Sequence, residues 1–161
     1  MEDKEREQIE KGRDLLAKGK PQEAIKFFQK LTKEPNVSGE VYLYAGMTYD
    51  NIGNEKDAIP LYIKALNKGI ENEKELRDCY VCLASSYRIE GELTTSLSYL
   101  TEAKERFPTD AVISTFLALT LFDMKEFRKT VKELGNTLLD ESNNQELMNF
   151  EKPLRQYFNN I

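Results

Sequence analysis

The feature that most constrains this chain is an internal repeat of about 34 residues. Glycines, alanines and aromatic residues return at that offset between the first two copies, a third copy follows at an offset of 38, and a fourth returns to 34. The matched pairs of the first two copies are Gly12 and Gly46, Gly19 and Gly53, Ala24 and Ala58, Phe28 and Tyr62, and Leu31 and Ala65. Such a period predicts one small structural unit repeated four times, with neighbouring units stacked to bury their apolar faces.

Each copy contains two apolar runs at helical spacing with a short polar turn between them. In the second copy the runs cover 42–52 and 58–66, separated by NEKD at 54–57. This pattern predicts two antiparallel helices per copy. Gly53 fits the left-handed position just beyond the first helix, and Asn54 can cap the second.

Three features depart from a regular helix pair. Gly46 lies inside a helix, where glycine costs about 0.5–1 kcal/mol relative to alanine, and close approach of another helix's backbone would offset that cost. Pro60 lies inside the next helix and predicts a kink between Lys56 and Pro60. The four extra residues between Ala65 and Tyr80 lengthen either a helix end or the loop.

The repeat resembles the tetratricopeptide repeat, whose signature is W-x2-L-G-x2-Y, then A-x3-F, then P. The residues that carry the resemblance are Tyr42, Ala45, Gly46, Tyr49, Ala58 and Tyr62 in the second copy, and Tyr80, Leu83, Ala84, Tyr87 and Pro108 in the third. The resemblance implies an all-α fold, a right-handed superhelical solenoid of four helix–turn–helix repeats plus a C-terminal helix. We expect a single domain over 1–161, with repeats at about 5–38, 39–74, 77–110 and 111–141 and a capping helix at about 143–159.

Composition excludes several classes of function. The formal net charge of −5 argues against a surface for nucleic acid or anionic membrane. A charged N-terminus and the lack of a long apolar run predict neither a signal peptide nor a membrane span, so we expect a cytoplasmic protein. With no histidine, phosphate loop or nucleophile elbow, we expect no enzyme, catalytic residue, metal or cofactor. Cys79 and Cys82 form C-x-x-C inside a predicted helix, which favours structural thiols over a redox or metal site.

In tetratricopeptide proteins the first helix of each repeat lines a concave groove, and the resemblance carries this role to four sets of residues with same-face helical spacing. For the charged members the alternative is an internal ion pair, Asp50 with Arg88 for example. The predicted partner-binding residues are Ile9, Arg13, Leu16, Leu43, Met47, Asp50, Asn51, Val81, Ser85, Arg88, Ile89, Thr115, Leu119, Phe122 and Asp123. They indicate a non-catalytic protein–protein interaction module, an adaptor that binds a peptide or helical segment of a partner.

The segment 111–124 is apolar almost all round and must be covered on nearly every side. The C-terminal segment after Asp140 can fold back onto it, broken into two pieces at Pro153. The alternative is a homodimer through the 111–124 helix and the C-terminal segment. That alternative fits a second functional class, a small acidic chaperone of this repeat family that acts as a homodimer on a secreted or unfolded client.

Overall fold

The computed structural model describes residues 2–161, which form ten α-helices and no strand, so the all-α prediction is confirmed. None of these helices combines the length and apolar character needed to cross a membrane. In chain order the helices are α1 (Glu2–Ala17), α2 (Pro21–Leu31), α3 (Gly39–Asp50), α4 (Glu55–Lys68), α5 (Glu73–Ile89), α6 (Leu93–Arg106), α7 (Ala111–Asp123), α8 (Phe127–Glu141), α9 (Gln145–Met148) and α10 (Glu151–Asn160).

The chain divides into two compact units, unit 1 (Met1–Glu90) and unit 2 (Gly91–Ile161). In unit 1, α1 packs against α2, α3 against α4, and α4 against α5, while α1, α3 and α5 also form a row of neighbouring helices. In unit 2, α7 packs against α6 and α8, and α8 packs against α10. The boundary between the units falls within the third predicted repeat, and the prediction of one domain over 1–161 stays a prediction.

The turn inside each repeat uses a left-handed residue at the same repeat position. Gly19, Gly53 and Gly91 have φ values of +71°, +70° and +82°, as the sequence predicted for Gly53. The fourth repeat has Lys125 there, with φ of +64°. A side chain at positive φ strains the backbone, so the fourth turn is the least favourable of the four.

Helix α4 begins as the sequence predicts, because the Asn54 side chain accepts a hydrogen bond from the backbone N–H of Asp57. The helix then continues through Pro60 to Lys68 without interruption. Proline has no N–H, so α4 carries one fewer backbone hydrogen bond at this position.

Gly46 does allow a close approach, although the prediction that a helix backbone fills the space is wrong. The Tyr62 ring lies on Gly46, and a Cβ added there would be 2.6 Å from a ring carbon. Gly12 is covered in the same way by the ring of Phe28. The second helix of each of these repeats thus inserts an aromatic ring where the first helix lacks a side chain.

The four-residue insertion lengthens a helix. By the repeat offset of 38, the start of α3 at Gly39 corresponds to Arg77, yet α5 already begins at Glu73. Four residues are about one helical turn. The insertion therefore adds one turn at the beginning of α5, capped by Asn72, whose side chain accepts a hydrogen bond from the Glu75 N–H at 3.0 Å.

The C-terminal segment forms two helices, α9 and α10, but the break between them lies at 149–150 and not at Pro153. Pro153 is the third residue of α10, a position in the first turn where a helix has no N–H bond to lose. Helix α10 packs against α8 through the Phe158 ring, which covers Gly135, and through Arg155, whose Nη2 lies 2.7 Å from the Asp140 carboxylate.

Candidate functional site

The predicted partner-binding residues fall into two separate groups. One group lies on α1, α3 and α5 of unit 1, and the other lies on α7 of unit 2. Because α3 packs against both α1 and α5, the first group occupies one row of neighbouring helices.

Three of the predicted residues lie in the core of unit 1. Ile9, Leu43 and Val81 are only 1%, 0% and 6% exposed. Their side chains cannot contact a partner while the unit stays folded. The expectation that they act as apolar anchors is therefore corrected, because these three residues belong to the core of unit 1.

Asp50 is also occupied within the protein. Its carboxylate accepts hydrogen bonds from the Tyr62 hydroxyl of α4 and, at 3.1 Å, from the Ser86 hydroxyl of α5. Burial raises the pKa of Asp50, and the two hydrogen bonds oppose that rise. Asp50 therefore ties α3 to α4 and α5, and the suggested internal pair with Arg88 is not the contact that the structure shows for it.

The remaining members are exposed or half-exposed and form what we call the unit 1 face. They combine apolar side chains with polar ones, and Ile89 is the most exposed apolar member at 57%. The unit 1 face consists of Arg13, Leu16, Met47, Asn51, Ser85, Arg88 and Ile89.

Arg13 is held in place on this face by two contacts. Its Nη1 lies 2.5 Å from the Glu10 carboxylate, and its guanidinium carbon lies 5.2 Å from the centre of the Tyr44 ring. Stacking of a guanidinium on an aromatic ring is favourable and leaves the edge of the fork free to bind. Arg13 is thus a pre-positioned donor at the junction of α1 and α3.

A part-buried charged cluster joins the three helices that carry the face. The Glu75 carboxylate accepts two hydrogen bonds from Arg6, at 2.6 and 3.1 Å, and one from the Tyr44 hydroxyl at 2.7 Å. Burial works against ionisation of Glu75, but the hydrogen bonds from Arg6 and Tyr44 outweigh it and lower the pKa of the carboxyl. Burial together with the bond to Glu75 raises the pKa of Tyr44 to about 12, so its hydroxyl stays a donor.

The sequence analysis missed this cluster. Arg6 and Glu75 are 69 positions apart, and no local spacing connects them. One signal was available, since Glu75 belongs to the four-residue insertion that gives α5 its extra turn. An acidic residue that is added to only one repeat is a reasonable candidate for a contact outside the repeat pattern.

A cavity of about 870 Å³ opens beside the cluster. Its wall includes the buried carboxylate of Glu40, which accepts a hydrogen bond from the Glu71 N–H at 3.0 Å, and Ser38, whose hydroxyl oxygen is buried without a hydrogen-bond partner. The lining residues are Glu5, Arg6, Ile9, Val37, Ser38, Gly39, Glu40, Lys68, Gly69, Ile70, Glu71 and Asn72. The cavity lies at the beginning of α1 and α3 and shares no residue with the unit 1 face.

The two cysteines lie within α5, as the sequence predicts. Burial raises the pKa of both thiols, that of Cys82 to about 12, and the Cys79 thiol donates to the Tyr62 carbonyl at 3.7 Å. Thiols of this kind are unreactive packing groups. Within residues 2–161, no three His, Cys, Asp or Glu side chains form a group that could hold a metal ion.

The group on α7 belongs to unit 2 and has a different character. Leu119 and Phe122 are 42% and 55% exposed, and the Phe122 ring packs edge-on against Phe127 at 5.4 Å between centroids. Thr115 donates to the Ala111 carbonyl at 2.7 Å, which satisfies its hydroxyl inside the helix. Asp123 is exposed at the end of α7. This group offers mainly apolar surface.

Comparison with known proteins gives one consistent result. The family model described as tetratrico peptide repeat matches residues 39–157. No curated protein matches the sequence. Among solved structures, YrrB, a TPR protein with an unusual peptide-binding site, is 18% identical, with a TM-score of 0.72 over 88% of this chain and 71% of that one.

Two further solved structures show the same fold. MamA from Desulfovibrio magneticus RS-1 is 15% identical, with a TM-score of 0.73 over 98% of this chain and 90% of that one. The APC/C hetero-tetramer Cut9–Hcn1 contains a chain that is 18% identical, with a TM-score of 0.71 over 94% of this chain and 29% of that one. At these identities the likeness concerns the fold alone.

Proposed function

The chain belongs to the tetratricopeptide repeat family, and we propose that it is a non-catalytic adaptor that binds a peptide or a helical segment of a partner protein along the unit 1 face. Proteins of this family and fold generally serve as interaction modules. The absence of histidine from the sequence is in keeping with a binding role.

The observation that carries the proposal is that the unit 1 face is exposed or half-buried, while part-buried hydrogen bonds between side chains fix the helices that carry it. Glu75 joins α5 to α1 and α3, and Asp50 joins α3 to α4 and α5. A surface that is already rigid loses little conformational entropy when it binds, so more of the contact energy appears as affinity.

The chemistry of the face favours a particular kind of ligand. Leu16, Met47 and Ile89 supply apolar contacts, each worth about 1.5–3 kcal/mol when fully buried. Methionine adapts to different shapes, so Met47 suits a partner whose anchor residue varies. Arg13 and Asn51 add hydrogen bonds for carboxylates or backbone groups of the ligand. The peptide-binding site described for YrrB, a protein of the same fold, supports this choice of ligand class.

The test is selection of binders from a displayed library of random 12-residue peptides on the full chain. The selected peptides are then measured against the parent, Met47→Ala, Ile89→Ala and a control, Ile52→Ala. Ile52 is 39% exposed in the turn after α3 and lies outside the unit 1 face. We expect at least a tenfold loss of affinity, about 1.4 kcal/mol, in the two face variants and no loss in the control.

Two results would count against the proposal. One is the failure of the library to yield any peptide that binds the parent. The other is a peptide that binds both face variants as tightly as the parent.

A second candidate is the chaperone role, favoured by the apolar side chains that unit 2 leaves exposed on the 111–124 helix and in the C-terminal segment. Phe122, Phe150 and Tyr157 are 55%, 64% and 65% exposed. Exposed apolar surface of this extent is typical of protein contacts. In this case the chain at equimolar ratio suppresses light scattering by a heat-unfolded model protein, and Phe150→Ser with Tyr157→Ser removes that effect. Unchanged scattering with the parent chain excludes this role.

A further inference from the structure

Helix α8 carries an exposed apolar stripe that no part of the predicted groove uses. Phe127, Val131, Leu134 and Leu138 are 53%, 47%, 44% and 55% exposed. They follow one another at intervals of four, three and four residues, which places them on one side of the helix. This is the spacing by which one helix packs along another. We refer to these four residues as the α8 stripe.

The same repeat position is covered elsewhere in the chain. Leu134 corresponds to Tyr62 in the second repeat and Leu100 in the third, and both of these are 0% exposed. In unit 1 the helix that carries Tyr62 is covered by α5, whose Cys79 thiol lies 3.7 Å from the Tyr62 carbonyl oxygen. The α8 stripe therefore has the character of a surface on which a further helix packs.

Helix α10 packs against α8 but leaves the stripe open. Its contacts lie to one side, at Gly135 under the Phe158 ring and at Asp140 beside Arg155. One charged residue of α8 also has its partner away from the stripe, since Glu133 binds Lys104 of α6. The stripe itself is apolar, and the exposed Glu141 follows it on the same side at the end of the helix.

We propose that the α8 stripe is the contact surface of a closed homodimer in which the α8 helices of two copies pack antiparallel. The spacing of four, three and four reads the same in both directions. In an antiparallel pair, Phe127 of one copy lies level with Leu138 of the other, and Val131 lies level with Leu134. Each contact then occurs twice about a twofold axis, as a symmetric dimer requires.

The area of the stripe fits a dimer of marginal to standard size. With Phe122, which packs on Phe127, the half-exposed side chains offer on the order of 500 Å² of apolar surface per copy. Pairing two copies would bury about 1,000 Å² of apolar area, and the polar rim adds to this, which reaches the range of specific interfaces. A patch of this size is also near the upper end of what a monomer leaves exposed.

A head-to-tail contact with unit 1 is a poorer alternative. Among the described residues of unit 1, Ile52 and Ile89 are the large apolar side chains that are exposed. The exposed side of α1 carries Lys4, Glu7 and Lys11, of which Glu7 and Lys11 form an ion pair at 2.9 Å. Unit 1 therefore has two exposed large apolar side chains among its described residues, against the four in a row that form the stripe. This inference does not depend on the unit 1 face binding a peptide.

The first experiment measures molar mass by light scattering after size-exclusion chromatography, for the parent and for Val131→Glu. A matched control is Tyr157→Glu, which places the same charge on an exposed apolar residue of α10. We expect the parent and the control to have twice the 18.6 kDa chain mass, and Val131→Glu to be monomeric at the same concentration with an unchanged helical circular dichroism spectrum.

The proposal is overturned if the parent is a monomer at 200 μM, or if Val131→Glu dimerises as the parent does. It is also overturned if the control alone dissociates the dimer, because the C-terminal segment would then be the contact.

The second experiment tests the antiparallel orientation by cysteine cross-linking. Positions 127 and 138 are 11 residues apart, roughly 16 Å along a helix. We expect a mixture of Phe127→Cys and Leu138→Cys chains to form a disulfide-linked dimer on mild oxidation, while either variant alone and the parent do not. Cross-linking of each variant with itself, when incubated alone, would show a parallel pair and contradict the proposed geometry.

Discussion

The two units of this chain use the same repeat in opposite ways. Among the described residues, unit 1 leaves two large apolar side chains exposed, Ile52 and Ile89, and unit 2 leaves ten. Both units bury hydrogen-bonded hydroxyl groups, as Ser96 and Thr120 do in unit 2, so the difference lies in the apolar residues that unit 2 directs outward. The two proposals rest on this contrast, since peptide binding is assigned to the unit 1 face and dimerisation to the α8 stripe.

Single repeat positions show how the difference arises. Asp50 and Tyr62 hydrogen-bond to each other in the second repeat. At the corresponding positions the fourth repeat has Phe122 and Leu134, which are 55% and 44% exposed. The fourth repeat therefore has two exposed apolar side chains where the second repeat has a hydrogen bond between its two helices.

The largest expected effect compares Tyr62→Ala with Leu134→Ala, two truncations at one repeat position. Tyr62 is fully buried, so its loss leaves a cavity and should lower the free energy of unfolding by about 3–5 kcal/mol. Leu134→Ala should cost about 1 kcal/mol or less. Urea denaturation at low protein concentration, where association adds little stability, measures both. Equal losses would remove the distinction between the units.

The next effect concerns the ring that covers Gly46. A Cβ there would lie 2.6 Å from the Tyr62 ring, so Gly46→Ala should cost about 1–3 kcal/mol by overpacking. Helix propensity alone predicts the opposite sign, a gain of about 1 kcal/mol. The reciprocal change Ala118→Gly, at the equivalent position of unit 2, should cost about 1 kcal/mol because that site already accommodates a methyl group. A higher melting temperature for Gly46→Ala would contradict the packing described for unit 1.

A smaller effect should be a gain in stability in unit 2. Lys125 has a φ of +64° where the other repeats have glycine. Lys125→Gly removes that strain and should raise the free energy of unfolding by about 1 kcal/mol. The control is Gly53→Lys in unit 1, which should lose a similar amount. Thermal unfolding of both variants checks the pair, and a destabilised Lys125→Gly would be evidence against strain in the fourth turn.

The smallest effect depends on pH and involves the buried carboxyl of Asp50. The pKa of Asp50 is higher in the folded protein than the ordinary value of 3.8. At a pH between 3.8 and the folded pKa, the native state therefore holds a proton that the unfolded chain has released. The contribution of Asp50 to stability is therefore greatest below pH 3.8 and declines as the pH rises through the folded pKa. In Asp50→Asn the amide oxygen can accept from the Tyr62 hydroxyl, and the amide N–H can donate to the Ser86 oxygen, whose own proton goes to the Cys82 carbonyl. Both contacts then persist without the charge.

We expect Asp50→Asn to raise the stability at pH 7 by up to about 1 kcal/mol, with the advantage shrinking toward pH 4. Denaturation curves at several pH values measure this difference. An advantage for the variant that grows as the pH falls would have the wrong sign.

Local features of the fold were predictable from the sequence. Gly53 and Asn54 act within a few residues of their own positions, so their left-handed and capping roles follow from residue type and spacing alone. The nature of the group that covers Gly46 did not follow. A glycine inside a helix indicates that another group approaches closely, but it does not indicate whether that group is a backbone or an aromatic ring.

The candidate site was predictable only in part, because helical spacing gives the direction of a side chain and not the depth of its surroundings. Leu43 and Met47 lie one turn apart on the same side of α3, yet Leu43 is fully buried and Met47 is half-exposed. The contact of Arg6 with Glu75 joins residues 69 positions apart. The extra turn of α5 carries Glu75 and brings its carboxylate to Arg6 of α1.

Hydrogen exchange of the parent chain, followed at each helix at low and high protein concentration, tests the contrast between the units most directly. We predict that the slowest amides at low concentration lie in α3, α4 and α5, and that higher concentration slows exchange in α8 while α4 stays unchanged. Exchange at one common rate in both units, or concentration-dependent protection in α4 without any in α8, would contradict the account.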